Sequence, residues 1–419
     1  MGPEPTPDRL DRRLGTSDAV VIGLGSMLGA GVFAAVGPAT RAAGSWLLVG
    51  LLLAGLVAYG NATSSAALAA RYPESGGAYV YGRRRLGRFW GFLAGWAFLA
   101  GKLASCAAMA LTFGSYVAPG LARPVALAGL AAVTVANSLG VAKTAAATRV
   151  IVAVVLAVLV AAVAGMLLGG QADPANLEWS IPGPGAYAVL QAAGLLFFAF
   201  AGYARVATLG EEVADPARTI PRAIPLALGI VLIVYAVVCA AALLAVGPAV
   251  LAASAAPLAE AVAAGRLDFL EPVVRGGAAV ASLGVLLSLQ AGLSRTGFAM
   301  AANHDLPVAL AAVHPRYKVP HRAELAAAVL VGVAVVAVDL RGAIGFSSTL
   351  VLVYYAIANA AAWTLGRAER GRPRWLAGLG LAGCLVLAAS LPAASVLAGT
   401  AVLGAGVAIW LVRRGRAQP

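Results

Sequence analysis

The chain has 419 residues, of which 61% are hydrophobic and only 11% are charged. Soluble proteins carry about 25% charged residues, so this composition excludes a soluble enzyme, a nucleic-acid-binding protein and a disordered chain. The 30 Lys and Arg residues outnumber the 17 Asp and Glu residues, and they fall in short clusters between long apolar runs. This pattern is typical of the cytoplasmic loops of a membrane protein and predicts a lipid bilayer, not a nucleic acid, as the partner of the chain.

About twelve membrane-spanning helices are predicted, because a bilayer core of about 30 Å needs roughly 20 apolar residues per helix. Charges, Pro or Gly interrupt the chain between these runs. A polar, Pro-rich tail (1–17) precedes them without the pattern of a cleavable signal peptide, and a short tail (413–419) follows. The predicted spans are 18–41, 44–70, 89–118, 124–142, 148–169, 186–209, 222–247, 271–299, 323–339, 343–366, 374–391 and 393–412.

The distribution of basic residues predicts the orientation of these spans. With the N-terminus inside, 23 of the 30 Lys and Arg residues fall in inner segments and 5 in outer segments. The remaining two, Lys102 and Arg205, lie within predicted spans. Because cytoplasmic loops are enriched in Lys and Arg, we expect a multi-pass protein of a bacterial-type inner membrane with both termini in the cytoplasm.

Two predicted spans contain residues that interrupt a helix. The first span reads V-I-G-L-G-S-M-L-G-A-G-V-F, with glycines at 23, 25, 29 and 31, and the sixth reads F-F-A-F-A-G-Y-A, with Gly202 near its middle. Each glycine weakens a helix by about 1 kcal/mol relative to alanine. Unwound backbone is tolerated in a bilayer only where it is buried in protein or lines a cavity. Interrupted helices at corresponding positions of two halves indicate a transporter site near the membrane midplane.

The chemistry of these two breaks suits a zwitterionic α-amino acid. Freed N–H groups at the start of a half-helix would bind a carboxylate, and carbonyls freed at the ends of the preceding half-helices would accept hydrogen bonds from an ammonium. Alternatively, the glycines only let neighbouring helices pack closely. The candidate substrate-binding residues are Met27, Gly29, Ala30, Gly31, Phe198, Ala199, Phe200, Ala201 and Gly202.

Four stretches occur in order along the chain: G-S-M-L-G-A-G-V-F (25–33), Y-P-E-S-G-G-A-Y-V-Y (72–81), F-F-A-F-A-G-Y with E-E-V-A-D-P-A-R-T-I-P-R-A-I (197–224), and S-R-T-G-F-A-M-A-A-N-H-D-L-P (294–307). Together they resemble the amino acid–polyamine–organocation (APC) superfamily of permeases. The resemblance implies an all-α LeuT-like fold of two inverted five-helix repeats, with broken helices 1 and 6. It also implies transport of an amino acid, often with protons or by exchange.

On this chain the two repeats would cover about 18–169 and 186–366, with two extra helices over about 374–412. One departure from the resemblance concerns the sixth span. Many relatives have an acidic residue after its G-F/Y, whereas this chain has Ala204 followed by Arg205. That difference removes one candidate proton carrier.

Lys102 is the candidate coupling residue, because it lies about a dozen residues into the third span. A cation within a span costs about 2.5–3.5 kcal/mol on insertion scales, and a desolvated lysine can lose its proton more readily. It could therefore carry a coupled proton or replace a coupling sodium ion. The alternative is a structural lysine that is satisfied by carbonyls or extends toward the interface.

Three charged residues after the sixth span, Arg205, Glu211 and Glu212, are candidates for an inner gate. Hydroxyl groups of the eighth span could line an ion site, although Ser and Thr commonly bond to their own helix backbone. A side-chain pocket could include residues of the third and tenth spans, where no acidic residue is evident. Its candidate residues are Ser105, Met109, Phe346, Ser347, Tyr354 and Tyr355.

These features predict a secondary transporter that moves a small or neutral amino acid by alternating access with proton coupling or exchange. No nucleotide-binding G-x-x-x-x-G-K-[ST] motif occurs, and no cofactor or metal site is predicted. An integral-membrane lipid or acyl transferase is an alternative, but the spans hold almost no carboxylates and all three histidines share one loop. A transporter of polyamines or other organic cations, and a channel or sensor on the same fold, also remain open.

Overall fold

The computed structural model of the chain describes residues 15–29, 31–72, 76–140, 145–177, 179, 183–203, 213 and 215–416. Helices account for most of these residues, and no β-strand longer than a single bridging residue occurs among them. The described part of the chain therefore has the all-α architecture that the apolar runs predict.

Seven helices form the first part of the fold. The first predicted span is divided between α1 and α2, whereas α4 lies in the predicted first cytoplasmic loop. The bounds are α1 (Thr16–Met27), α2 (Gly31–Ala43), α3 (Leu47–Arg71), α4 (Ala78–Arg85), α5 (Arg88–Val117), α6 (Ala122–Ser138) and α7 (Ala145–Leu168).

Eight further helices of seven or more residues follow, and two of them depart most from the predicted bounds. The sixth span was expected to continue to 209, but its α-helix ends at Phe200. The seventh continues to Ala253, beyond Gly247, whose φ of +70° interrupts the helix. The bounds are α8 (Ala186–Phe200), α9 (Pro216–Ala253), α10 (Pro257–Ala263), α11 (Glu271–Ala302), α12 (His321–Ala337), α13 (Leu340–Trp363), α14 (Trp375–Ser390) and α15 (Ala393–Arg416).

Among the described residues, nine helical segments are long and apolar enough to cross a membrane, fewer than the twelve spans that the sequence predicts. The difference has a geometric cause. The α2 and α3 helices are joined by the short 3₁₀ turn Gly44–Trp46 and count as one continuous segment of 41 residues. In addition, α12 and α14 have 17 and 16 residues, and each is shorter than a single full span.

The packing places α5 and α13 side by side at the centre of the described helices. The α5 helix also contacts α6, α11 and α12, whereas α13 contacts α3, α14 and α15. Small residues allow these close approaches. Between α5 and α13, a Cβ built on Gly101 would lie 3.0 Å from Val351 Cγ2. Between the neighbouring helices α3 and α14, a Cβ built on Gly60 would lie 3.0 Å from Gly380 Cα. Such small-residue contacts favour helix association in a bilayer, where the lipid is as apolar as the side chains.

Candidate functional site at two helix breaks

The first break separates α1 from α2. The last hydrogen bond of α1 runs from the Leu28 N–H to the Leu24 carbonyl at 2.7 Å, and helical structure resumes at Gly31. Met27 and Leu28 are buried, each with 1% exposure. Ala30, a predicted binding residue, lies outside the described residues. The structure thus interrupts the first span where its glycines predict an interruption.

The second break follows α8. After Phe200 the chain forms one 3₁₀ turn, Ala201–Tyr203, and the Ala201 N–H donates to the carbonyls of Phe197 and Phe198. The Phe198 carbonyl, which the sequence suggested as a free acceptor, is therefore used within this turn. The predicted gate residues Arg205, Glu211 and Glu212 lie outside the described residues.

The two breaks contact each other directly. A Cβ built on Gly31 would lie 2.7 Å from the Cα of Ala199, so only glycine fits at the start of α2 in this conformation. A Cβ on Gly202 would lie 2.9 Å from the backbone nitrogen of Met27. Four of the predicted binding residues are therefore brought together by backbone packing. The N-terminus of α2 and the C-terminal ends of α1 and α8 meet at one place.

Tyr235 of α9 joins the two breaks through a single hydroxyl group. Its hydroxyl donates to the Met27 carbonyl, at the end of α1, and lies 3.2 Å from the Ala199 carbonyl, at the end of α8. Its ring packs edge-on against Phe200, with the centroids 5.3 Å apart. Sequence reasoning missed Tyr235, although it is the one tyrosine of an otherwise apolar run, V-L-I-V-Y-A-V-V.

Two more tyrosines hold the backbone beside the breaks. Tyr355 of α13 donates to the Ala201 carbonyl at 3.2 Å, and its ring stacks on Tyr203 at 5.0 Å. Tyr116 of α5 donates to the Phe33 carbonyl, in the first turn of α2, at 3.1 Å. Carbonyls that no helix satisfies would be costly in a membrane protein interior. The Tyr355 hydroxyl supplies such a donor at the second break, whereas the Tyr116 hydroxyl adds a hydrogen bond to a carbonyl that already lies within the first turn of α2.

Gly29 faces a different neighbour from Gly31. A Cβ on Gly29 would collide with the side chain of Val285 in α11, so Gly29 leaves room for that side chain beside the first break. Beside it lies a small cleft whose side chains are all apolar. Its lining residues are Gly25, Leu28, Gly29, Ile151, Val152, Val155, Ala281, Gly284 and Val285.

Lys102 is buried on α5, with 8% exposure. Its ammonium lies 5.8 Å from the centre of the Phe98 ring, a distance at which a cation is attracted to an aromatic face. No ion pair or hydrogen bond of this ammonium occurs with the part of the chain that the structure describes. One turn farther along α5, Ser105 and Ser347 of α13 are 2.7 Å apart, so two of the predicted pocket residues meet there.

The hydroxyl groups of α11 bond to their own helix. Ser288 donates to the Gly284 carbonyl, Ser294 to the Ala291 carbonyl and Thr296 to the Gly292 carbonyl, at 3.2, 3.1 and 2.9 Å. This is the alternative that the sequence left open for these residues. The described residues contain no group of three or more His, Cys, Asp or Glu side chains that could hold a metal ion.

Comparison with known proteins identifies the family. The model of the amino acid permease family matches residues 18–375. The chain belongs to the amino acid permease family. An uncharacterized transporter of Mycobacterium tuberculosis is 62% identical over 415 residues, which cover 99% of this chain and 94% of the relative.

Two more distant relatives of this permease have named substrates. A branched-chain amino acid permease of Bacillus subtilis is 26% identical over 336 residues, 74% of this chain and 72% of the relative. A methylthioribose transporter of the same organism is 29% identical over 338 residues, 75% of this chain and 72% of the relative. The family and its relatives make this multi-pass membrane protein a transporter and not an enzyme.

Proposed function

We propose that this permease is a secondary active transporter that binds an amino acid where its two helix breaks meet. The observation that carries the proposal is the contact between Gly31 and Ala199. It places the positive end of the α2 dipole next to carbonyls at the ends of α1 and α8. A carboxylate is stabilised by the former and an ammonium by the latter. One small zwitterion satisfies both.

The contact between the breaks also supports alternating access. Gly31 and Ala199 are too close in this conformation for a ligand to lie between them, so binding requires α2 and α8 to separate. Tyr235 holds the carbonyls of Met27 and Ala199 that an ammonium would otherwise engage. Exchange of the tyrosine hydroxyl for the substrate ammonium gives two states with comparable numbers of hydrogen bonds, as a reversible transport cycle requires.

A small or neutral amino acid fits the site best. The described break residues are apolar or glycine, and they offer no carboxylate to pair with a cationic side chain. The branched-chain amino acid permease among the relatives supports a neutral substrate, whereas the cationic amino acid transporters among them do not. The methylthioribose transporter shows that the resemblance alone does not fix the class of cargo, so an organic cation such as a polyamine is the alternative to test.

The proposed topology has twelve spans in two inverted repeats, about 18–169 and 186–366, followed by two extra helices over about 374–412, with both termini in the cytoplasm. Contacts support it, because segments predicted on one side of the membrane bond to each other. On the proposed inner side the contacts join Arg149 to Asp18, Arg83 to Asp305, Arg372 to Pro221 and Arg413 to His304. On the outer side they join Arg41 to Ala252 and Arg275 to Tyr116.

We further propose that Lys102 takes part in coupling transport to protons. It is a buried cation without a carboxylate partner in the described residues, and burial favours the neutral amine over the ammonium. A lysine that gains and loses a proton during the cycle would link substrate movement to the pH gradient.

The experiment that tests the proposed site compares ligands that differ at one end. Purified protein is screened by thermal shift against the twenty amino acids, and each stabilising ligand is compared with its decarboxylated amine and with an analogue shortened by one methylene. Binding to the folded state raises the melting temperature by mass action. We expect loss of the carboxylate to weaken binding more than loss of the methylene, which is worth about 0.8 kcal/mol.

Equal losses from the two analogues would show that side-chain packing, not the helix terminus, dominates recognition. Stabilisation by polyamines without stabilisation by any amino acid would favour the organic-cation alternative. Uptake against a concentration gradient in proteoliposomes separates a transporter from a channel or a sensor on the same fold.

A further inference from the structure

A buried carboxyl group lies away from the two breaks. Glu324, in the first turn of α12, is only 3% exposed. Its Oε1 atom has no hydrogen-bond partner, and its carboxyl belongs to no ion pair, within the described parts of the chain. A buried carboxylate without a cation is strongly unfavourable, whereas a protonated carboxyl group is neutral. Nothing along the chain singles out this residue, because it stands at the polar start of a span.

The polar side chains beside Glu324 on α6 and α11 are neutral. Asn137 of α6 and Ser294 of α11 lie beside the carboxyl group, but each already donates to a backbone carbonyl. The Asn137 amide donates to Leu287 at 3.2 Å, and the Ser294 hydroxyl donates to Ala291 at 3.1 Å.

Gln290 lies one turn before Ser294 on the same face of α11. Its amide nitrogen bonds to Thr134 of α6 at 2.8 Å, whereas its Oε1 is buried without a donor. The interface of α6, α11 and α12 therefore contains two buried acceptor oxygens without a donor among the described residues, one on Gln290 and one on Glu324. One added proton would convert the Glu324 carboxylate from an acceptor into a donor.

Few charged groups face Glu324 from the surrounding helices. On α5 the buried thiol of Cys106 interacts electrostatically with Glu324 and with Lys102, one turn earlier. On α11 it is Arg295, which is exposed to solvent. The described part of α6 offers only Thr134 and Asn137 on this side. On α12 itself, His321 and Arg322 precede Glu324.

We propose that Glu324 is a proton-binding site of this permease, separate from the substrate site. The carboxyl group holds one proton while α6, α11 and α12 are packed as in this structure. It releases that proton to water when these helices separate and solvent reaches the pocket. The proton comes from solvent and returns to solvent, so no other group is consumed. The role of the site in coupling rests on the proposed transport function, whereas proton binding itself does not.

The first test uses the full chain in proteoliposomes with an equimolar radiolabelled mixture of neutral amino acids. One pH unit across the membrane can drive about tenfold accumulation if one proton accompanies each substrate. We expect Glu324→Gln, which is uncharged and nearly isosteric, to retain exchange at equal pH and to lose this accumulation. The exposed Glu260 provides the matched control, since Glu260→Gln should accumulate substrate as the unsubstituted protein does. A Glu324→Gln protein with normal pH-driven accumulation would overturn the proposal.

The second test does not depend on transport. Infrared difference spectra of the unsubstituted protein, recorded between mildly acidic and mildly alkaline buffers, should contain the carbonyl band of a protonated carboxylic acid that shifts when glutamate is carbon-13 labelled. The band should change frequency in Ser294→Ala, which retains Glu324 and removes a neighbour of its carboxyl group. Absence of such a band, or its insensitivity to Ser294→Ala, would refute the site even if Glu324→Gln fails to fold. If the unsubstituted protein moves no amino acid while the band is present, the proposed function fails and the proton site remains.

Discussion

The Tyr235 hydroxyl lies 3.2 Å from the Ala199 carbonyl, and the same hydroxyl donates to Met27. Through this contact α9 holds the ends of α1 and α8 together, although Met27 and Tyr235 are 208 residues apart in the sequence. A hydroxyl group has one proton, so it satisfies the two carbonyls only as long as they stay close. Separation of the breaks must therefore release at least one of them.

Tyr235→Phe should lower the melting temperature of the ligand-free protein, because two buried carbonyls lose their donor. An unsatisfied buried acceptor costs about 1–3 kcal/mol. The stabilisation by a bound amino acid should become larger than in the unsubstituted protein, since the ammonium then supplies the missing donor. Thermal unfolding with and without ligand measures both effects.

Tyr187→Phe is the control, because the Tyr187 hydroxyl makes only a 3.4 Å contact with Leu391 on a ring that is 57% exposed. If a bound amino acid raised the melting temperature equally in the unsubstituted protein, Tyr235→Phe and Tyr187→Phe, the assigned role of Tyr235 would be contradicted.

Gly31→Ala should abolish amino-acid exchange without preventing membrane insertion. The new methyl group would lie 2.7 Å from the Cα of Ala199, and the backbone there cannot move aside as a flexible side chain would. Overpacking of this kind costs about 1–3 kcal/mol and would push α2 away from α8. Gly31→Leu should show a stronger form of the same defect. Exchange in proteoliposomes and the amount of protein in purified membranes are to be measured together.

Gly404 provides the matched control for the substitution at Gly31. A Cβ there meets nothing within 4 Å, so Gly404→Ala should insert, fold and exchange normally. Normal exchange by Gly31→Ala would place the substrate elsewhere than at the first break.

Lys102→Ala should retain exchange of amino acids at equal pH and lose the dependence of uptake on an imposed pH gradient. Lys102→Arg should keep its charge permanently, because guanidinium does not give up its proton in proteins, and should therefore stop the cycle in one state. A purely structural Lys102 predicts instead poor expression of Lys102→Ala with unchanged pH dependence of the residual uptake. Uptake and expression measured on one preparation separate these outcomes.

Tyr79→Phe should destabilise the contact between α4 and the loop after α11. The Tyr79 hydroxyl donates to Asp305 at 2.7 Å and accepts from Arg83 at 2.9 Å. Burial, with the Asp305 hydrogen bond second, raises the pKa of Tyr79 from 10.0 to about 12. The folded state thus holds the phenol proton more tightly than the unfolded state does. The stabilisation is complete below pH 10 and is lost as the pH rises toward 12.

Unfolding of purified protein at a series of alkaline pH values tests whether this stabilisation falls as the pH rises. The difference in stability between the unsubstituted protein and Tyr79→Phe should be constant at neutral pH and shrink above pH 10. A difference that grows in this range would mean that the hydroxyl group has another partner.

The sequence was informative wherever one residue type has a local effect. Glycines 29 and 31 weaken the helix that contains them, and the first span is indeed interrupted between Met27 and Gly31. Gly202, together with the aromatic residues around it, indicated the second break in the same way. The lengths of the apolar runs similarly predicted most helix bounds to within a few residues, because the bilayer thickness sets the length of a span.

Contacts between distant segments were not predictable in the same way. Tyr235 and Glu324 each look unremarkable along the chain, since a tyrosine in an apolar run and a glutamate at a helix start are both common. The sequence does not say which face of α9 turns toward the breaks, or that α6 and α11 enclose the first turn of α12. Nor does it distinguish Gly29, which faces Val285, from Gly31, which faces Ala199.

The sequence by itself determined that the chain lies in a membrane, where its first and sixth spans break, and which residues carry the resemblance to the permeases. These properties follow from local hydrophobicity and backbone propensity, which act over a few residues. The tertiary structure decided that the two breaks touch, that the Tyr235 hydroxyl contacts carbonyls at both of them, and that Glu324 is buried without an ion-pair partner among the described residues. Those facts depend on the rotation and depth of each helix relative to its neighbours, which are set by side-chain packing across the whole fold.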